Sequence, residues 1–262
     1  MKRENMNADI GRIITKLDNL FAHKEYAEAE RLLKYWEKEG RASGDDKVYY
    51  LAVNEQMGLY RKLGRREEAM AAVDTMLAYL DRRQRRMSVE GATALLNAGT
   101  VYKAFGQSEE AVPFFEEACF VYEELLPPTD RRLAGLYNNM SSALADLRRY
   151  DEALELCEKA LAILAETAGN EPEEAITLLN MTAMYEARDG IEKAQESIDA
   201  CLTKAQEKLA AADGKTEEGY LAFVYDKCAP TFAYYGWFAE KNLLMKRSEE
   251  IYERLGAVKE VL

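Results

Sequence analysis

Histidine is almost missing from this chain, and its scarcity closes off much enzymology. A single His, His23, stands among 262 residues, beside 4 Cys, 5 Pro and 15 Gly. A His-dependent triad would have to run through that one imidazole, and no nucleophile elbow or phosphate loop accompanies it. His23 also lacks a set of ligands at metal spacing, so it reads as a solvated turn residue and no metal or cofactor is expected. The cysteines (Cys119, Cys157, Cys201 and Cys228) are widely spaced, with no CxxC pair to suggest zinc or redox chemistry. They read as small core hydrophobes in a reducing compartment, without disulfides. No apolar run approaches the roughly 18 residues of a membrane span. The N-terminal MKRENMNADIGR lacks the apolar centre of a signal peptide, so a cytoplasmic location is expected.

Positive charge is also in deficit. Against 47 Asp and Glu stand 35 Lys and Arg, a formal net charge of −12. That balance argues against a general nucleic-acid binder, which needs a basic stripe to displace counterions, and against anionic membrane surfaces. The cluster Arg82-Arg83-Gln84-Arg85-Arg86 reads as the last turns of a helix, where cations complement the dipole. Few prolines and glycines and no β-branched runs leave helix as the expectation throughout, since Ala, Leu, Glu, Lys and Arg dominate.

What the chain does have is a repeat. The stretches LLNAGTVYKAFGQSEEAVPFFEEACFVYEEL from Leu95 and LYNNMSSALADLRRYDEALELCEKALAIL from Leu136 share one plan. Each has an amphipathic helix, a short polar turn, paired acids followed by Ala, and a second amphipathic helix. The Ala recurs at Ala29, Ala69, Ala111, Ala153 and Ala194, at spacings of 40, 42, 42 and 41 residues. Nine residues before it stand Leu20, Tyr60, Tyr102, Leu144 and Tyr185. Apolar positions follow i, i+3, i+4 and i+7, as in Leu154, Cys157, Leu161 and Leu164, which is helix periodicity. Acid pairs such as Glu67-Glu68, Glu109-Glu110 and Asp151-Glu152 open the second helices, where they complement unsatisfied amides. They need no catalytic reading.

This pattern resembles the tetratricopeptide repeat family. The resemblance rests on Val53, Leu95, Tyr137 and Leu178 opening the first helices, on the small Gly99, Ser141 and Thr182 four residues later, and on the central Ala. The family unit is about 34 residues; the longer period here implies longer helices, as in kinesin light chains and bacterial peptide-sensing regulators. The resemblance implies an all-α, right-handed solenoid of about six tandem hairpins in one domain, 1–262. Repeat boundaries fall near 10–44, 48–87, 90–128, 131–168, 172–212 and 217–256. Breakers mark the linkers: Gly40-Arg41-Ala42-Ser43-Gly44, Pro127-Pro128, Gly169-Asn170-Glu171-Pro172 and Asp213-Gly214. The last unit diverges. Lys241 stands where Ala is expected, and Pro230 should interrupt the first helix and kink it. Terminal repeats often cap a stack, so it reads as a divergent sixth copy.

Numbering each repeat so that the central Ala is position 20, positions 4, 7, 8 and 11 of the first helix turn inward. Positions 2, 5, 6, 9, 12 and 13 share the opposite stripe, by the 3.6-residue period. In this architecture that stripe lines a concave groove. Position 6 reads Asn97, Asn139 and Asn180 in three successive repeats, and Asn54 and Asn138 occupy position 5. An amide offers donors and an acceptor to a peptide backbone, and the resemblance gives these asparagines that role. The competing reading is that they bond neighbouring repeats and fix the stacking. Arg61, Lys62 and Lys103 lie on the same stripe and suit a carboxylate, and Ser142, Asp146 and Glu186 follow. Lys227, Tyr234 and Tyr235 come from the final unit.

The expected function is a non-catalytic protein- or peptide-binding module without nucleic-acid or membrane partners; a homo-oligomer is possible but not indicated. The alternatives are a scaffold that assembles through its convex face or ends, and a peptide-responsive regulator acting on a partner in trans.

Overall fold

The computed structural model describes residues 10–166 and 169–255. The expected repeat ends at 168 and 256, and most of the N-terminal stretch read for a leader, lie outside the described residues. Twelve helices and no strand occur among the described residues, in six consecutive pairs. They are α1 (Ile10–Ala22) and α2 (Tyr26–Ser43), α3 (Asp46–Lys62) and α4 (Arg66–Arg83), α5 (Val89–Ala104) and α6 (Ser108–Leu125). Then come α7 (Arg131–Asp146) and α8 (Tyr150–Ala165), α9 (Glu171–Asp189) and α10 (Ile191–Ala211), and α11 (Glu218–Tyr234) and α12 (Phe238–Leu255). The fold class is an all-α helical-repeat solenoid.

The central Ala is what lets each pair close. Ala29, Ala69, Ala111 and Ala153 are fully buried and Ala194 is 2% exposed. Each is the fourth residue of its second helix, and its amide donates to the carbonyl four residues back, at 3.0 Å, in the turn that starts that helix. Lys241 makes the same bond to Trp237 at 3.1 Å, fixing the register of the divergent last pair. Inward positions 4, 7, 8 and 11 of α3 are Val53, Gln56, Met57 and Tyr60, all buried. The helix period puts them under α4, and burial of such a row stabilises each pair by about 25 cal/mol per Å² of apolar area removed from water.

The chain forms two compact units that divide inside α6, between Val121 and Tyr122. In the first, Tyr49, Val53, Met57 and Tyr60 of α3 pack with Val73, Met76 and Leu80 of α4 and with Ala94, Ala98 and Val101 of α5. In the second, α7 packs on α8 and α9, α9 on α10 and α11, and α11 on α12.

Three local expectations change. Gly40 ends no helix: α2 runs on to Ser43, and the terminator is Gly44 at φ +74°. Gly40 is instead a close-approach site, since a Cβ there would stand 2.7 Å from the amide nitrogen of Tyr49 in α3. Pro230 does not interrupt α11, which is helical from Glu218 to Tyr234. The ring lies on the exposed side, where the carbonyl it leaves unbonded can be hydrated, while buried Tyr225, Cys228, Ala229 and Phe232 hold the helix from the other side. The arginine cluster only begins in the last turn of α4. The helix stops at Arg83, Gln84 turns left-handed at φ +53°, and Arg86 reaches Glu117 of α6 at 3.0 Å.

Within five of the hairpins the residue five before the central position is left-handed and is Gly or a cation: Gly64, Gly106 and Gly236, but Lys24 at φ +57° and Arg148 at φ +60°. A side chain in that region costs about 1 kcal/mol, partly offset by the greater freedom of Gly in the unfolded chain. Arg148 is exposed. Arg148→Gly is therefore expected to stabilise the protein by about 0.5 kcal/mol, measured by thermal unfolding; a lower melting temperature would contradict this reading.

One buried-edge ionic cluster ties the first two hairpins together. Glu30 of α2 receives Arg65 at 2.6 Å, Lys34 at 2.6 Å and the hydroxyl of Tyr60 at 3.2 Å. The Arg65 and Lys34 hydrogen bonds hold its carboxyl down at about 2, from an ordinary 4.5. A depressed folded-state value stabilises above the unfolded value, and that stabilisation is lost as pH falls. Between pH 4.5 and 2 the wild type should therefore lose about 1 kcal/mol more than Glu30→Gln, after allowance for solvent screening. Parallel acid-unfolding curves would refute it.

Candidate functional site

The first helices carry their outward stripes as the repeat numbering requires, and in each unit the stripe encloses a cleft. In the first unit the cleft is about 200 Å³ and runs between α3 and α5. Position 5 supplies Asn54, position 6 Glu55 and Asn97, position 9 Gly58 and Thr100, and position 12 Arg61. Asn97 Nδ2 donates to Asn54 Oδ1 at 2.8 Å, so this amide pair spans two repeats. Asn54 Nδ2 in turn points to Glu55 Oε1 at 3.4 Å. Burial raises the Glu55 carboxyl and lowers the Arg61 guanidinium, because each charged form loses hydration in the cleft. Lys62 faces elsewhere, with its ammonium 5.6 Å from the ring centroid of Tyr26 at the start of α2. Lys103 is half-buried and outside the cleft lining.

In the second unit a larger cleft of about 840 Å³ lies across α7, α9 and α11. Its floor repeats in register: position 9 gives Ser142, Ala183 and Pro230, and position 13 gives Asp146, Ala187 and Tyr234. Small residues at Ala183 and Ala187 keep the middle of the floor low, and that hollows the cleft. Asn180 lines it and is exposed. Asn139 is half-buried and donates Nδ2 to the carbonyl of Gly135 in its own helix at 2.8 Å. Asn138 donates to Thr177 Oγ1 of α9 at 2.8 Å, and its own oxygen is buried without a partner. The five asparagines are thus placed differently. Asn54, Asn97 and Asn138 bond across repeats, Asn139 bonds within its helix, and Asn180 presents its amide to the cleft.

The wall of this cleft is a clasp centred on Glu186. Tyr234 Oη donates to Glu186 Oε1 at 2.8 Å and Tyr235 Oη to Glu186 Oε2 at 2.7 Å. The two rings meet edge to face, 4.9 Å between centroids. Hydrogen bonding to Glu186 raises the Tyr234 hydroxyl above its ordinary value, and burial, then Glu186, raises that of Tyr235. Both stay protonated as donors at neutral pH. Tyr234 is 68% exposed, so its ring remains open to a ligand. Tyr150, at the start of α8, also lines the cleft.

The sequence placed Ser142, Asp146, Asn180, Glu186 and Tyr234 on one stripe, and the structure brings them to one cleft. It missed Tyr150 and Thr231, which lie off the stripe; the Asn54–Asn97 and Asn138–Thr177 bonds accord with its competing reading of asparagines bonded between repeats, without their partners having been named. Those bonds join different positions of successive repeats, which a single-helix count does not reveal. His23 is exposed, with Nδ1 2.8 Å from the carbonyl of Asn19. Among the described residues no helix is long and apolar enough to cross a membrane.

Tandem helical hairpins with an inward small residue and an outward polar stripe define a helical-repeat protein whose first helices carry the open surface. Residues 92–130 and 132–207 each match the family described as Tetratricopeptide repeat. The chain is 33% identical over 116 residues to Protein HGV2 of Halocynthia roretzi, covering 43% of this chain and 21% of that protein. It is 27% identical over 128 residues to Protein KINESIN LIGHT CHAIN-RELATED 3 of Arabidopsis thaliana, covering 48% and 20%. It therefore spans about a fifth of the length of the curated relatives it matches. Among solved structures, BtubC (BKLC) from P. vanneervenii superposes with a TM-score of 0.67 at 21% identity, over 78% of this chain and 81% of that one. A Rap protein complexed with Competence and Sporulation Factor superposes at 0.54 and 16% identity, over 92% and 74%. Residues 92–130 and 132–207 thus carry tetratricopeptide repeats, and these resemble the repeats of kinesin light chains.

Proposed function

We propose that the chain is a non-catalytic protein-interaction module that takes an extended peptide segment along its first-helix face, working in the cytoplasm. The observation that carries this reading is the cleft across α7, α9 and α11. Three consecutive repeats contribute equivalent positions to it, so it offers a ligand the same step at each repeat. Its chemistry is that of recognition: small residues on the floor, tyrosines on the walls, and the exposed amide of Asn180 at the edge. Such an amide can donate to one peptide carbonyl and accept from one peptide N–H. The Rap protein is a similar fold seen in complex with a factor, which is in keeping with a binding role.

Asn180 and Ser142 are the ligand contacts in this reading, with Asn139 beside them. Asn54, Asn97 and Asn138 set the spacing of the repeats that present them. In the first unit, Arg61 is the group suited to a ligand carboxylate; Lys62, turned to Tyr26, and Lys103, outside the cleft lining, are not part of this reading. Affinity capture from lysate of the source cells, comparing wild type with Asn180→Ala/Ser142→Ala after circular dichroism shows equal folding, tests the assignment. Partners held by the wild type and lost by the variant are the expected result. Partners held equally by both would move the interaction to the second helices or the ends and favour a scaffold.

A further inference from the structure

The cleft of the second unit has a sign. Two carboxylates, Asp146 and Glu186, line it, and no Lys, Arg or His does. Lys227 lies one turn before Pro230 on α11 and is outside the lining. The whole chain adds a net charge of −12, which favours the approach of a cation over long range.

Glu186 is built to receive that cation. Its two oxygens accept one tyrosine hydroxyl each, at 2.8 and 2.7 Å, and these bonds fix the plane of the carboxylate. Tyrosine hydroxyls are neutral donors, so the negative charge is oriented without being cancelled. A carboxylate has about four acceptor sites, and two remain for a ligand. Beside them the ring of Tyr234 is 68% exposed, and Tyr150 lines the same cleft. A planar donor fork that also stacks on an aromatic face matches both features, and arginine has that geometry where the lysine ammonium does not.

We infer that the cleft across α7, α9 and α11 is a subsite for an arginine side chain of the bound peptide segment, its guanidinium paired with Glu186 and stacked on Tyr234. The inference rests on the first-helix face being the binding surface, and goes beyond it by naming the chemistry of the ligand. It also gives the two clefts different tasks, since the one in the first unit carries Arg61.

The test uses the full chain and fluorescein-labelled nonapeptide mixtures. The central residue is fixed as Arg, Lys, Gln or Glu, and the other positions are drawn from small neutral residues. Binding is read by fluorescence anisotropy. The wild type should prefer the Arg mixture over the Gln mixture by about tenfold, the size expected of one ion pair and one cation–π contact in a cleft. The Glu mixture should bind worst. Glu186→Gln keeps the shape, with one tyrosine hydroxyl still donating to the amide oxygen and the other turning to accept from its NH2, and should abolish the Arg preference. Tyr234→Leu should reduce the preference part of the way. Equal binding of the Arg and Gln mixtures, a Lys mixture as good as Arg, or a preference that survives Glu186→Gln would overturn the subsite while leaving the groove reading in place. Failure of every mixture to bind would overturn both.

Discussion

Gly91→Ala lowers the melting temperature by about 4–8 °C, the shift expected for about 2 kcal/mol in a chain of this size. In isolation the change should help, since Ala is better than Gly in a helix by about 1 kcal/mol. The sign reverses because of what lies over Gly91 in the third position of α5. A Cβ there would stand 2.1 Å from the carbonyl oxygen of Arg85 and 2.7 Å from that of Arg86. Both are backbone atoms and cannot swing aside. Moving them breaks a linked set of bonds. Ser88 Oγ donates to the Arg85 carbonyl at 2.8 Å and accepts from the Gly91 amide at 3.0 Å, so it caps α5 and holds the linker together. Arg86 carries the linker's tie to Glu117. Overpacking against rigid backbone costs about 1–3 kcal/mol and a lost cap about 1 more, which outweighs the helix-propensity gain. Differential scanning calorimetry checks it, and an unchanged or raised melting temperature would show that the linker between α4 and α5 yields freely.

The repeat was legible in the sequence because its determinants are local. The central Ala recurs as a buried residue in the first turn of the second helix, so the spacing of Ala29, Ala69, Ala111, Ala153 and Ala194 carries the fold. Even Lys241 could be placed by counting, and its amide bond to Trp237 matches that of the alanines. Gly91 gave no such signal. Its need for hydrogen in place of a methyl group comes from the path of Arg85 and Arg86, a tertiary fact absent from helix periodicity. Gly40 misled for the same reason: its neighbour is the backbone of Tyr49 in the next helix, not a turn.

The candidate site was legible in part. Counting placed Ser142, Asn180, Glu186 and Tyr234 on the outward stripe. It did not show that Tyr234 and Tyr235 converge on Glu186, because that depends on how far α11 slides along α9. It also treated the asparagines as equivalent. Asn97 donates to Asn54 Oδ1 at 2.8 Å and Asn54 in turn to Glu55, whereas the exposed Asn180 keeps its amide for the cleft of the second unit. Position in a repeat tells which way a side chain leaves the helix, and the neighbouring repeat decides what it meets.

The second large effect follows from the shape of the cleft, and its measurement bears most directly on the proposed function. Ala183 is exposed at the middle of the floor, between Ser142 and Pro230. Ala183→Trp fills the cleft with an indole without disturbing buried packing, so stability should stay within about 0.5 kcal/mol of wild type. Ala162→Trp on α8 puts the same ring at an exposed site on a second helix and serves as the control. Titration calorimetry with the partner segment captured by the wild type should show Ala183→Trp binding at least about tenfold more weakly, a loss of about 1.4 kcal/mol or more, with Ala162→Trp unchanged. Wild-type affinity in Ala183→Trp, or loss of binding in Ala162→Trp, would contradict a ligand seated on the first helices and place the interaction on the opposite face.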